Sequence, residues 1–182
     1  MPVRYTTSKP GTAVWQMPLL PVEGKRKCER LSSNALLTLL LGREVEVKHT
    51  AEGVPYVEGL DKHLSVSHNS SRLVVALSGE RVGVDIESIT PLLERVKHKF
   101  LSAEELHRLP TGSLRELAVC WSVKEAVYKL AGDKAGALGE HISIDTAGAC
   151  GRLIRASIGD VVYRAEVLEM QDDYEIVVAW EC

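Results

Sequence analysis

Residues 113–132 constrain the fold most. Ser113, followed three residues later by Glu116, marks a helix start: the serine oxygen caps an orphan amide and the glutamate reaches back. Gly132 closes the segment, as glycine does where a helix must stop. On a wheel of about 100° per residue, Leu114, Leu117, Ala118, Trp121, Glu125 and Tyr128 share one stripe. Lys124 and Lys129 flank it, while Val119, Val123, Ala126 and Leu130 cover the opposite side. A helix apolar nearly all round is a buried helix, so the rest of the chain must cover it in layers. Glu125 on this face needs a partner, because an isolated buried charge is very costly. Lys129, four residues on, is the nearest candidate. Two accounts stay open: a Glu–Lys pair at a cavity rim, or a metal ligand beside a lysine that meets an anionic substrate.

The other elements follow the same signals. Residues 23–41 read as an amphipathic helix ending at Gly42. Glu52-Gly53-Val54-Pro55 is a turn, and 64–67, 73–77 and 82–86 are strand-like runs. Residues 68–71 and 78–80 read as hairpin connections between them. Residues 92–100 predict one short helix, and Ser102 with Glu105 opens another. The runs 142–145, 153–158, 161–169 and 174–180 read as a terminal meander of plain sheet core, with no catalytic signature. The order is helix, strands, helices, strands, an α+β pattern occurring about twice with a junction near residue 80. The expected architecture is therefore two similar α+β halves, 1–80 and 81–182.

Composition removes several classes. With 182 residues, 45% hydrophobic and 26% charged, the chain is ordinarily globular. Its longest apolar stretch, 35–41, holds Thr38 and is far short of the roughly 20 residues of a membrane span. Pro2, Pro10 and Pro18 interrupt the start where a secretory signal needs an apolar core. Cys28, Cys120, Cys150 and Cys182 form no CxxC or Cys/His cluster, so neither a zinc site nor a disulfide framework is expected, and the expected setting is reducing and cytoplasmic. Net charge is +2 over 1–80 and −5 over 81–182, and the only run of three basic residues is Lys25-Arg26-Lys27. No nucleic-acid partner is expected.

The chemistry concentrates in Gly83-Val84-Asp85-Ile86-Glu87. Alternate strand residues share a face, which puts the Cα atoms of Asp85 and Glu87 about 6.7 Å apart. Two converging carboxylates repel unless a proton or a hard cation such as Mg²⁺ or Mn²⁺ compensates. The alternative is a strand end facing solvent. Ser67-His68 ends a strand that should neighbour the acidic one. There His68 and Ser67 either help bind phosphate or sit at a solvated turn. Lys25, Arg26, Lys27 and Arg30 are either a wet helix face or a clamp for a phosphate. His49, His63, His98, His107 and His141 have no ligand spacing, and no Walker-A, GxSxG, HExxH or GxGxxG pattern occurs.

Three motifs in order resemble a known family. Gly83-Val84-Asp85-Ile86-Glu87, then Lys99-Phe100-Leu101-Ser102-Ala103-Glu104-Glu105, then Trp121-Ser122-Val123-Lys124-Glu125-Ala126-Val127-Tyr128-Lys129 look like the signature of the 4′-phosphopantetheinyl transferases. The 40-residue step from Asp85 to Glu125 and the upstream Ser67-His68 also fit. The first half ahead of Asp85, and the extra acid Glu87, are similar to the surfactin-synthetase-activating type, although this chain is short for it. That type is a monomer of two like halves with its active site in the cleft between them.

The resemblance implies a reaction. Coenzyme A lies in the cleft, with its adenosine phosphate end against basic residues of the first half, Lys27 being the best match. Asp85, Glu87 and Glu125 bind Mg²⁺, and His68 and Lys129 contact phosphate oxygens. A serine of an apo acyl or peptidyl carrier protein attacks the phosphate next to pantetheine, and adenosine 3′,5′-bisphosphate leaves. Glu125, or a metal-bound water near Glu87, takes the serine proton. At 92–100, Arg95, Lys97 and Lys99 are either the place where an acidic helix of the carrier docks or a solvated helix face. Gly53-Val54-Pro55 stands where the family commonly has Gly-Lys-Pro, and 34–37 lacks the usual first-helix arginine, so coenzyme A binding is expected either to be weaker or to be carried by Lys25 or Arg26. Rival readings are a Mg²⁺-dependent nucleotide phosphohydrolase and a non-catalytic relative that binds coenzyme A or a partner.

Overall fold

A computed structural model describes residues 1–132 and 141–182. The chain opens with a hairpin, β1 (Val3–Thr6) and β2 (Thr12–Pro18), which the sequence reading left without an element. Val14 and Gln16 alternate inward along β2, and Pro18 is tolerated because it ends the strand. Helix α1 (Lys25–Leu41) stops at Gly42, which takes the left-handed conformation at φ 66° and returns its N–H to Thr38 O at 3.0 Å. A ribbon of β3 (Val47–His49) and β4 (Pro55–Val57) brackets the expected turn, and β5 (His63–His68) pairs with β6 (Arg72–Ser78) through the expected 68–71 hairpin.

The second expected hairpin does not form. β7 (Gly83–Ser88) leaves the first sheet and pairs with the last strand, so residues 78–80 carry the chain from one sheet to another. The sheets are β1-β2-β6-β5 and β7-β11-β10-β9-β8, with all pairings antiparallel. The second is completed by β8 (Ser143–Ile144), β9 (Leu153–Ile158), β10 (Val161–Met170) and β11 (Tyr174–Glu181). Between β7 and β8 lie α2 (Leu92–Val96), a 3₁₀ turn at Lys97–Lys99, α3 (Ala103–Arg108) and α4 (Leu114–Ala131). The single helix expected at 92–100 is thus broken at Val96. Both expected capping boxes are present, at Ser102/Glu105 and Ser113/Glu116.

Side-chain alternation stacks these elements. Leu73, Val75 and Leu77 of β6 face α1, while Val74 and Ala76 join Val84, Ile86, Ile176 and Val178 between the two sheets. The opposite face of the second sheet, with Ala165, Val177 and Ala179, packs on α4. The layers run α1, first sheet, second sheet, α4, an α+β architecture. Within the first half the order strand, long helix, hairpin (β2, α1, β5–β6) places β6 between β2 and β5; in the second (β7, α4, β10–β11), β11 lies between β7 and β10.

β7 is an edge strand whose outward backbone groups are met by side chains. Val84 N–H donates to Ser65 Oγ at 3.0 Å, and Lys129 Nζ donates to Val84 O at 3.0 Å. A glycine is required beside it: a Cβ on Gly83 would stand 1.8 Å from Ala126 O of α4. Backbone cannot yield as a flexible side chain does, so Gly83→Ala should destabilise the chain by about 3 kcal/mol through overpacking, measured as a lower urea midpoint at unchanged m-value.

Candidate active site

Asp85 sits on the face of β7 turned toward α4 and is 5% exposed. Three contacts hold its carboxylate. Ser67 Oγ of β5 donates to Oδ1 at 2.7 Å, and Lys129 Nζ of α4 donates to the same oxygen at 2.8 Å. Ser122 Oγ lies 2.9 Å from Oδ2, and Lys129 supplies the compensating charge. A buried carboxylate needs such donors, and removing one partner leaves the charge uncompensated. Of the two accounts open for Lys129, the pair with Glu125 one turn away is not the one formed: its Nζ reaches across to Asp85 of β7.

Glu87 follows on the same face, and Glu125 looks toward it from α4. Burial, then the Asp85 charge, pushes the Glu87 carboxyl above the usual range, partly offset by a hydrogen bond from its neighbour's backbone and by Lys129. Glu125 is raised by burial and by Asp85 and Glu87, with Lys129 opposing. The three acids thus share one electrostatic environment. Among the described residues, however, no group of three His, Cys, Asp or Glu side chains stands ready to hold a metal ion. Two of the acid oxygens are already engaged: Asp85 Oδ1 by Lys129, and Glu87 Oε1 by the Ser88 N–H at 2.7 Å.

The stripe of α4 that carries Glu125 is not its most buried face. Trp121, Glu125 and Lys129 are half-buried and Tyr128 is exposed, whereas Val119, Val123 and Ala126 have no exposure. Lys124 is fully buried and bonded to Glu105 Oε2 at 2.9 Å, so the capping glutamate of α3 also anchors α4. The terminal meander is not plain core either. Glu175 of β11 stands opposite Glu87 in the ladder, is fully buried, and has Oε1 at 2.7 Å from Ser122 Oγ. An acid inside the apolar run Tyr174-Glu175-Ile176-Val177-Val178 was the available signal.

A cleft of about 890 Å³, the size of a cofactor pocket, opens beside this patch. Its walls carry five Lys or Arg residues, Arg26, Arg30, Lys62, Arg81 and Lys129, against the acids Glu29 and Glu52. Lys129 is the group shared by the cleft and the acidic patch; Asp85, Glu87 and Glu125 do not line the cleft. His68 also lines it, with Nε2 3.3 Å from Glu29 Oε2. Lys27, the expected phosphate contact, is exposed outside the cleft; on α1 it is Arg26, Glu29, Arg30 and Ser33, spaced three and four apart, that face inward. Val54, standing where the family's lysine is expected, lines the wall. Ser67 is bonded to Asp85 rather than lining the cleft.

A family model described as the 4′-phosphopantetheinyl transferase superfamily matches residues 81–179. A 4′-phosphopantetheinyl transferase of Bacillus subtilis is 32% identical over 85 residues, covering 44% of this chain and 38% of that protein. The 4′-phosphopantetheinyl transferase psf-1 of Bacillus pumilus is 33% identical over 85 residues, covering 44% of this chain and 36% of that protein. The similarity therefore spans less than two fifths of the length of these relatives.

Burial pushes the Glu175 carboxyl up to about 8 from an ordinary 4.5. Between those values the folded chain keeps a proton that the unfolded chain releases. The associated stability is full below about pH 4.5 and is lost as pH rises toward about 8. Glu175→Gln carries no ionisable group, so its melting temperature relative to wild type should increase as pH is raised from about 5 to about 8.5. A difference that does not change with pH would contradict this burial of a neutral acid.

Proposed function

The chain belongs to the 4′-phosphopantetheinyl transferase superfamily, and from that premise we propose that it transfers the 4′-phosphopantetheine of coenzyme A to a serine of an apo carrier protein. The observation that carries this reading is the place of Lys129, at once on the wall of a basic cleft and bonded to Asp85. A ligand whose phosphates are drawn in by Arg26, Arg30, Lys62 and Arg81 ends beside the carboxylates, where a reacting phosphorus has to be. We read the chain as a monomer of two like halves, 1–80 and 81–182, with the site between them. The repeated order of strand, long helix and hairpin supports that reading.

The donor set suits a hard divalent cation such as Mg²⁺, because burial and mutual repulsion already penalise charge on Glu87 and Glu125. Asp85, Glu87 and Glu125 would hold it, and when bound it neutralises charge on the pyrophosphate. Lys129 and His68 orient phosphate oxygens, and Arg26 and Arg30 take the role expected of Lys27. Ser67 holds Asp85 in place. The carrier serine oxygen forms a bond to the phosphorus next to pantetheine, and the bond to the bridging oxygen breaks. Adenosine 3′,5′-bisphosphate departs with that electron pair. Glu125, whose carboxyl burial and the Asp85 charge hold above the usual range, accepts the serine proton. The carrier approaches over α2 and the following turn, where Leu92 is 56% exposed beside exposed Arg95 and Lys99.

Mass spectrometry of an apo carrier protein incubated with this chain, coenzyme A and Mg²⁺ tests the reading. A gain of one phosphopantetheine supports it; bisphosphate release without a carrier marks a phosphohydrolase, and binding without turnover a non-catalytic relative. Asp85→Ala and Glu125→Gln should each lower turnover on the order of 10²-fold or more. Arg26→Ala and Arg30→Ala should each raise the coenzyme A requirement about tenfold at nearly constant turnover. A matching loss from Lys27→Ala would return the phosphate contact to the outer face of α1.

A further inference from the structure

We propose that Glu175 is a positioning residue of this site, fixing the Asp85 carboxylate through the Ser122 hydroxyl. The inference rests on the transferase reading for its kinetic consequence and on geometry alone for its structural one.

Ser122 Oγ lies 2.9 Å from Asp85 Oδ2 and 2.7 Å from Glu175 Oε1. A serine hydroxyl has one proton to give. It can satisfy one of these two carboxylate oxygens, so the other short contact needs a proton of its own. Asp85 is the natural acceptor, since its Oδ1 already takes donors from Lys129 Nζ at 2.8 Å and Ser67 Oγ at 2.7 Å. Among the described residues Glu175 has no cation beside it: Ser122 is its hydrogen-bonding side chain, and its second oxygen, Oε2, is buried without a partner there. The arrangement that satisfies both contacts is therefore a protonated Glu175 donating to Ser122 Oγ, with Ser122 donating to Asp85 Oδ2.

The consequence is directional. Without Glu175 as donor, the Ser122 hydroxyl is free to rotate away from Asp85, and Asp85 is held only at Oδ1. A carboxylate displaced within a reaction site loses rate more than binding, because turnover depends on sub-ångström placement. Glutamine has the shape of glutamate and an N–H to donate, so it preserves the relay; alanine does not.

The test compares Ser122→Ala, Glu175→Ala, Glu175→Gln and the double alanine variant, with kcat and the KM for coenzyme A measured by carrier mass shift. The two alanine variants should each lose about tenfold in kcat at little-changed KM, the size of one hydrogen bond to a charged group. The double variant should lose no more than either single one, because both cut the same relay. Glu175→Gln should stay within about threefold of wild type. A glutamine variant as slow as alanine, or additive losses in the double variant, would overturn the proposal. Where wild type itself transfers nothing, the transferase reading fails separately. The positioning is then judged on crystal structures of wild type and Ser122→Ala: an Asp85 rotamer that moves when Ser122 is truncated supports it, and an unmoved one overturns it.

Discussion

A single buried carboxylate has to be satisfied, and the meeting of the chain's parts follows from how that is done. Asp85 is 5% exposed on an edge strand, and its donors come from β5 through Ser67 and from α4 through Ser122 and Lys129. Leaving such a charge unpaired would cost more than most single contacts contribute. The strand that carries it can approach α4 only because Gly83 has no Cβ to meet Ala126 O. The same lysine that neutralises Asp85 also covers the free Val84 carbonyl, so charge compensation and edge protection come from one side chain. The two sheets thus meet at β5 and β7 through serine and lysine side chains rather than through a shared ladder.

That joint sorts charge in space. Cationic side chains of α1, of the segment just before β5 and of the link between sheets line the cleft, while the acids gather on the α4 side of β7 and β11. Lys129 stands at the boundary. Such a gradient favours an anionic ligand on the cleft side of Lys129. It also explains why burial raises Glu87, Glu125 and Glu175 together, since each feels like charges in a poorly solvated setting. The inward face of α1 presents Arg26 and Arg30, so a phosphate contact is available although Val54 stands where the family usually has lysine.

Local signals were legible in the sequence wherever one segment settles its own structure. Both capping boxes, the Gly42 and Gly132 helix ends, the 68–71 hairpin and the three long strands of the meander required no distant partner to be recognised. The misreadings involve pairing across the chain. Residues 78–80 look like a hairpin turn, yet β7 finds its ladder with β11 some ninety positions later. The opening hairpin was hidden because β1 has only four residues and Pro2, Pro10 and Pro18 interrupt the pattern of the segment. Amphipathicity placed Glu125 on the packing stripe, but α4 is apolar on both sides, so the wheel alone does not say which side faces the cleft. Spacing on one helix offers Lys129 to Glu125, but the more buried Asp85 on a neighbouring strand takes it. Glu175 went unread because a lone acid in a strand looks like an ordinary solvent-facing position until the opposite face is covered. Lys27 and Arg26 are indistinguishable in a run of three basic residues until the helix phase is fixed by its packing.

The most direct measurement is a crystal structure of the chain with coenzyme A and Mg²⁺. The account predicts coenzyme A in the basic cleft, with its pyrophosphate at the end marked by Lys129 and His68 and within reach of the carboxylates of Asp85, Glu87 and Glu125. Coenzyme A bound elsewhere on the surface, or lying in the cleft with its pyrophosphate remote from Lys129, would contradict it.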